Sequence, residues 1–118
     1  MTAGAISVAA LGLMAQPASA ASTDCPSSKA CLWTSENYPG SPNGQFSNSI
    51  VVSIGINSIV NNGNSNVARF YDANNHQGVY ISLNNPARGG QTRDPVLSNG
   101  TNTTSANWSN IISSAQFV

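Results

Sequence analysis

The chain has 118 residues, of which 40% are apolar and only 7% charged, with four basic and four acidic side chains that cancel. That length suits one domain and is short for two. Zero net charge excludes a protein that neutralises a run of phosphates, and the apolar content excludes a disordered tail.

Residues 1–20 read MTAGAISVAALGLMAQPASA. The apolar run Ala5–Ala15 is followed by Ala18-Ser19-Ala20, the small-x-small pattern that signal peptidase accepts. The run is shorter than the about 20 residues that span a bilayer. These residues read as an export signal cleaved after Ala20, although a basic n-region is missing. The mature domain is then 21–118, with no membrane association after cleavage. From residue 21 onward there are 16 Asn and 16 Ser, the composition of a secreted, turn-rich domain.

Cys25 and Cys31 are the only cysteines, in CPSSKAC. In an exported chain such a pair reads as a disulfide. A metal site needs two more soft or imidazole ligands, and a nucleophilic thiol needs a base. His76 is the sole histidine for either role. A bridge across so short a loop contributes about 2–3 kcal/mol in the chain-entropy picture, enough to pin the first strand.

Beyond the leader there are 14 Val and Ile against three Leu, one Lys and one Glu. Helix formers are scarce and β-branched residues abundant. Strands are expected at Ala30–Thr34, Gly44–Asn48, Ile50–Ile54, Ser58–Val60, Val67–Tyr71, Val79–Leu83, Pro95–Leu97 and Ile111–Phe117. Turn clusters separate them: Tyr38-Pro39-Gly40, Pro42-Asn43-Gly44, Asn61-Asn62-Gly63, Asn84-Asn85-Pro86 and Ser98-Asn99-Gly100. Many short strands between turns predict an all-β sandwich or barrel.

The chain nearly repeats itself. Trp33, Tyr38 and Gly40 recur 38 residues later as Tyr71, His76 and Gly78. Each half has an aromatic, four residues, a second ring, one residue, then glycine. The pattern predicts a strand that folds back sharply, with glycine supplying a backbone conformation that a Cβ penalises. The first ring then covers the folded hairpin, and a new strand follows.

Aromatic-x₄-aromatic-x-Gly resembles the Greek-key signature of βγ-crystallins. The opening CPSSKACLWT, the stretch INSIVNNGNSNVARFYDANNHQGVYISL and the closing NWSNIISSAQ resemble the secreted actinomycete metalloproteinase-inhibitor family. The resemblance covers nearly all of 21–118. It implies a βγ-crystallin-like sandwich of two Greek keys, about 25–62 and 66–118, and the activity of a secreted peptidase inhibitor. His76 stands where the pattern has an aromatic, its flat ring packing in the same place. A loop that resists cleavage must be held rigid. The archetypal inhibitor uses a second disulfide there, whereas no cysteine follows Cys31 in this chain.

Three kinds of site are weighed. Calcium-binding βγ-crystallins use Asn/Asp-Asn/Asp-x-x-Ser/Thr-Ser, and the nearest segments are 57–62 and 109–114. Asn57, Asn110 and Ser114 are the candidate ligands. Neither segment holds a carboxylate, so calcium binds weakly if at all and no cofactor is required. The plainer role for these residues is to satisfy backbone groups at strand corners. The second site is a protease-facing loop, Asn84–Thr104, the longest polar stretch, in which Arg88, Arg93, Val96 and Leu97 are the contact candidates. Pro86 and Pro95 stiffen its ends, and Val96 and Leu97 suit a thermolysin-like pocket. The plain alternative is a crossover between sheets. The third is catalysis: Asp72 and His76 form a lone pair in one turn, and no paired carboxylates are near in sequence. The chain reads as a non-enzyme.

Three glycosylation sequons, at Asn99, Asn102 and Asn107, follow from the composition. Trp108 reads as packing at the corner before the last strand, with sugar stacking as the alternative.

The leading expectation is thus a secreted, monomeric inhibitor of extracellular proteases, metalloproteases first. It acts by non-covalent occlusion, with a protease as its partner and no nucleic acid. The alternative is a crystallin-type binding module for weak calcium or cell-wall sugar, or a toxin-like factor, without inhibitory activity.

Overall fold

The computed structural model describes residues 24–64, 66–100 and 104–118. The expected leader, 1–20, and one of the three sequon asparagines, Asn102, lie outside the described residues. Eight strands run in chain order: β1 Lys29–Trp33, β2 Gly44–Phe46, β3 Ser49–Val51, β4 Ser58–Asn62, β5 Ala68–Tyr71, β6 Tyr80–Leu83, β7 Arg93–Asp94 and β8 Ser114–Phe117. The remaining regular pieces are two single 3₁₀ turns, Asn74–His76 and Leu97–Asn99. Among the described residues there is no α-helix, and none long and apolar enough to cross a membrane. The all-β expectation is met.

The strands form two four-stranded antiparallel sheets. Sheet A has the order β2-β1-β4-β7 and sheet B the order β3-β8-β5-β6. In each half the fourth strand returns beside the first, which is Greek-key connectivity. The third strand of each half is exchanged: β3 pairs with β8 in sheet B, and β7 pairs with β4 in sheet A. Each half therefore supplies an edge to the other's sheet.

Strand alternation decides which side chains meet between the layers. Along β1, Ala30 and Leu32 enter the central core with Ile59 of β4, Phe70 of β5 and Ile81 of β6. Cys31 and Trp33 point the other way, into a second cluster with Cys25, Tyr38 and Val60. The Cys25–Cys31 disulfide, with Cα atoms 5.8 Å apart, lies in that second cluster. β1 is thus buried on both faces.

The repeated hairpins are built alike. Trp33 meets Tyr38 edge-on at 5.3 Å between ring centres, and Tyr71 meets His76 at 5.7 Å. His76 occupies the place of Tyr38, as its spacing implies. Gly40 and Gly78 both take left-handed backbone, with φ of 68° and 82°. At Gly78 a Cβ would in addition collide with the Asp72 carboxylate, which accepts a hydrogen bond from the Val79 amide. The Gly40 carbonyl accepts from the Trp33 indole at 3.0 Å.

Left-handed conformation is not confined to glycine. Asn37 and Tyr38 have φ of 64° and 53°, and Asn75 and His76 have 60° and 58°. Such residues are strained, at roughly 1–2 kcal/mol each, and need restraint. A serine of the fourth strand supplies it in both halves. The Ser58 hydroxyl donates to the Ser35 carbonyl at 2.7 Å and accepts from the Tyr38 amide at 3.2 Å. The Ser114 hydroxyl donates to the Ala73 carbonyl at 2.7 Å and accepts from the His76 amide at 3.0 Å. Both serines are buried.

Several expected boundaries differ. Asn61 and Asn62 extend β4 instead of forming a turn. Asn61 is buried because its amide group donates to the Asn66 and Leu83 carbonyls while its oxygen accepts from the Gly63 amide. The expected strand Pro95–Leu97 is displaced to Arg93–Asp94. Pro95 has no N–H for the ladder, and Asp94 Oδ1 accepts from the Val96 amide at 3.0 Å, which turns the chain. The strand Ile50–Ile54 ends at Val51, and the last strand starts at Ser114 rather than Ile111 because Asn110, with φ of 60°, closes a turn first.

Removing either seryl hydroxyl leaves a buried amide and carbonyl of a strained hairpin unsatisfied. Ser58→Ala and Ser114→Ala are each expected to lower stability by about 1–3 kcal/mol, read as a reduced denaturation midpoint. Ser98→Ala, at an exposed position, is expected to change it by less than about 0.5 kcal/mol.

Candidate functional site

The described part of the Asn84–Thr104 segment, up to Gly100, is three structures in succession. The first is a tight turn over Pro86–Gly90, organised by Asn85. That side chain is fully buried, donates to the Asn66 carbonyl, and accepts from the Ala87 and Arg88 amides at 2.8 and 3.2 Å. The Asn84 amide group closes the turn from the other side by donating to the Gly89 carbonyl at 2.9 Å. Arg88 is exposed at the apex. The second structure is β7, which holds Arg93 against Val60 in sheet A. The third is the 3₁₀ turn Leu97–Asn99. Leu97 is 0% exposed and belongs to the central core.

The structure places the four contact candidates read from the sequence in different surroundings. Leu97 cannot offer its side chain to a partner, because the Asp94 turn drives it inward between the sheets. Of the four candidates Arg88 is exposed, Arg93 and Val96 are half-buried, and Leu97 serves the core of the sandwich.

Asp94 sits behind this segment as a buried carboxylate. Among the described residues its Oδ2 has no hydrogen-bond partner, and neither has the buried hydroxyl of Tyr38. Burial raises the Asp94 pKa from its ordinary 3.8, against the opposing pull of the Val96 amide and the Gln91 side chain. Burial also pushes the Tyr38 phenol far up, with the Arg93 charge opposing and the Asp94 charge reinforcing.

The calcium candidates separate. Asn57 and Asn110 do meet: the Asn57 amide group donates to Asn110 Oδ1 at 3.0 Å and to the Thr34 carbonyl at 2.8 Å, while its own oxygen accepts from the Ser109 hydroxyl. Ser114 is engaged instead on the second hairpin. These oxygens are neutral and hold backbone and side-chain donors. Among the described residues no cluster of three His, Cys, Asp or Glu is placed to hold a metal.

The Asn57–Asn110 contact ties together one end of the sandwich. There the β3–β4 connection, residues 52–57, crosses the approach to β8. The Val52 amide donates to the Ser113 carbonyl at 2.9 Å, and the Asn110 amide donates to the Ile56 carbonyl at 3.0 Å. Between these feet Ser53, Ile54 and Gly55 are exposed. Grooves flank the arch, one lined by Leu32, Gly44 and Ile50, the other by Asn110, Ile112 and Ser113. Sequence reading missed this arch, since Ile50–Ile54 reads as one β-branched strand.

The outer faces of the two sheets differ. That of sheet A is covered by the disulfide cluster. On sheet B, Tyr80 is 42% exposed, but the Arg69 guanidinium lies 4.4 Å over its ring. The face on which a sugar would stack is therefore taken. Trp108 is buried in the core and is no stacking platform either. Asp72 and His76 both have structural partners, the Val79 amide and the Tyr71 ring.

Residues 18–83 match the sequence profile of peptidase inhibitor family I36, more than half of the chain and all of β1–β6. The chain belongs to that family. Membership in I36 gives it the role of a peptidase inhibitor and a peptidase as partner. The match ends just before the Asn85 turn, so it includes the arch and not the segment that the sequence reading favoured. No curated protein and no solved structure matches the chain.

Two outcomes follow from this geometry. The Asp94 pKa is raised on folding, so the carboxyl favours the native state fully only at low pH, and that advantage is lost as pH rises through the raised value. Asp94→Asn keeps the acceptor for the Val96 amide and is expected to raise the melting temperature at about pH 7. The gain is expected to vanish near pH 3, below the ordinary carboxylate range of about 3.9. Calcium at about 1 mM is expected to leave the melting temperature unchanged, since a ligand specific for the native state must raise it; a rise would assign the Asn57–Asn110 end a metal.

Proposed function

We propose that this I36 protein is an exported inhibitor of extracellular peptidases, zinc metallopeptidases of the thermolysin kind first among them. It acts as a monomer, by non-covalent occlusion of the cleft. The observation that carries the reading is the family match over 18–83. The rigid two-sheet scaffold supports it. The strand exchange and the doubled ring-and-glycine hairpin are read as those of a βγ-crystallin-type sandwich, preceded by a cleaved leader. The Cys25–Cys31 disulfide suits an oxidising, extracellular setting. A metallopeptidase is favoured because the large side chains that stand out at the Asn57–Asn110 end are aliphatic. Ile54 and Ile111 are 47% and 41% exposed.

Occlusion needs no cofactor. Affinity comes from an ordered loop that loses little entropy on binding. The Asn85 turn and the Asn57–Asn110 tie provide that order without a second disulfide.

The test is an inhibition panel with the purified mature protein. Stoichiometric inhibition of a thermolysin-like enzyme is expected, with weaker effect or none on a subtilisin-like serine enzyme. Inhibition confined to the serine enzyme would refute the metallopeptidase assignment. Failure against every peptidase tried would refute the functional reading.

A further inference from the structure

We infer that the segment entering the peptidase cleft is the arch Val52–Ile56, with Ile54 as its anchoring side chain, and not the Arg88 turn. The inference rests on the inhibitor reading above and deepens it.

Three observations converge on the arch. First, its main chain is free. Among the described residues nothing hydrogen-bonds to the backbone of Ser53, Ile54 or Gly55. A peptidase grips its substrate by pairing with exactly such open N–H and C=O groups, in the manner of an added strand. The Arg88 turn has engaged several of its own: the Ala87 and Arg88 amides donate to Asn85, and the Gly89 carbonyl accepts from Asn84. A turn partly closed on itself offers less of its main chain to a cleft than the arch does.

Second, the arch is held at both feet. Val52 and Ile56 are buried, and their backbone is hydrogen-bonded to Ser113 and Asn110. Gly55 lies so close beneath Asn110 that a Cβ there would collide with its side-chain oxygen. The exposed stretch between is short, so little freedom remains to be lost on binding.

Third, the side chain on offer is apolar. The chain bends at Ile54, which projects while Val52 and Ile56 turn inward. The grooves on either side leave room for the walls of a cleft. A pocket that takes a branched aliphatic residue, as thermolysin-like enzymes have, fits Ile54. A pocket selective for arginine does not.

The test uses the full mature protein and thermolysin as the probe, with inhibition constants for wild type, Ile54→Asp, Ile54→Leu and Arg88→Ala. Ile54→Asp is expected to weaken inhibition about 100-fold, as loss of a central apolar anchor does. Ile54→Leu and Arg88→Ala are each expected to stay within about threefold. Because both positions are exposed, melting temperatures are expected to match wild type, which separates lost contact from lost fold. An active wild type with Ile54→Asp unimpaired, or with Arg88→Ala carrying the loss, would overturn the arch while leaving the inhibitor reading intact. A wild type inactive on thermolysin would overturn the arch together with the metallopeptidase assignment, and inactivity on the subtilisin-like enzyme as well would overturn the inhibitor reading.

Discussion

The molecule depends on a serine hydroxyl holding a folded hairpin in a backbone conformation it would otherwise leave. Two consecutive non-glycine residues in left-handed φ, Asn37-Tyr38 and again Asn75-His76, are strained. Ser58 and Ser114 reach across from the fourth strand and fasten each hairpin at two backbone groups. Once folded back, the hairpin lays its second ring against the first. In the first half that completes a second apolar cluster with the disulfide, on the far side of β1 from the main core.

The same arrangement joins the halves. With the first hairpin folded over, the third strand of each half is free to cross to the opposite sheet, where it meets the partner half's fourth strand. Two crossing connections are created, and residues from both meet at one end of the sandwich through Asn57 and Asn110. The arch inherits its fixed position from this crossing. It is tied by Val52 and Ile56 to the approach of β8, so its geometry is a property of the assembled sandwich rather than of its own sequence.

That distinction explains which features were legible in the chain. Trp33, Tyr38, Gly40 and their counterparts could be read because a local pattern recurs at a constant interval of 38 and each residue acts within its own hairpin. The all-β class followed from Val and Ile outnumbering helix formers. Leu97 was misread because an apolar pair after Asp-Pro looks presented, whereas a single hydrogen bond from the Val96 amide to Asp94 turns it inward. Asn61-Asn62-Gly63 has turn composition, yet Asn61 is drawn into the strand by carbonyls of Asn66 and Leu83, the second 22 residues away. The arch left no local signal. Four of the five residues from Ile50 to Ile54 are β-branched, and where the strand stops depends on β8, more than 60 residues later.

Asparagine does in this chain what charge pairs and further disulfides do elsewhere. A disulfide is usually credited with restricting the unfolded chain. A buried amide side chain acts on the native state, because it satisfies several backbone groups at once and each is costly to leave unpaired. Asn85 holds three backbone partners, two in its turn and one at Asn66, and Asn57 links Thr34, Ser109 and Asn110 across three connections. For a protein that works by presenting a stiff segment, stiffness in the folded state is the quantity that counts. A chain with only eight charges and one disulfide is therefore not poorly restrained. Its restraints are neutral, they are internal to the fold, and salt screens them far less than it screens exposed ion pairs.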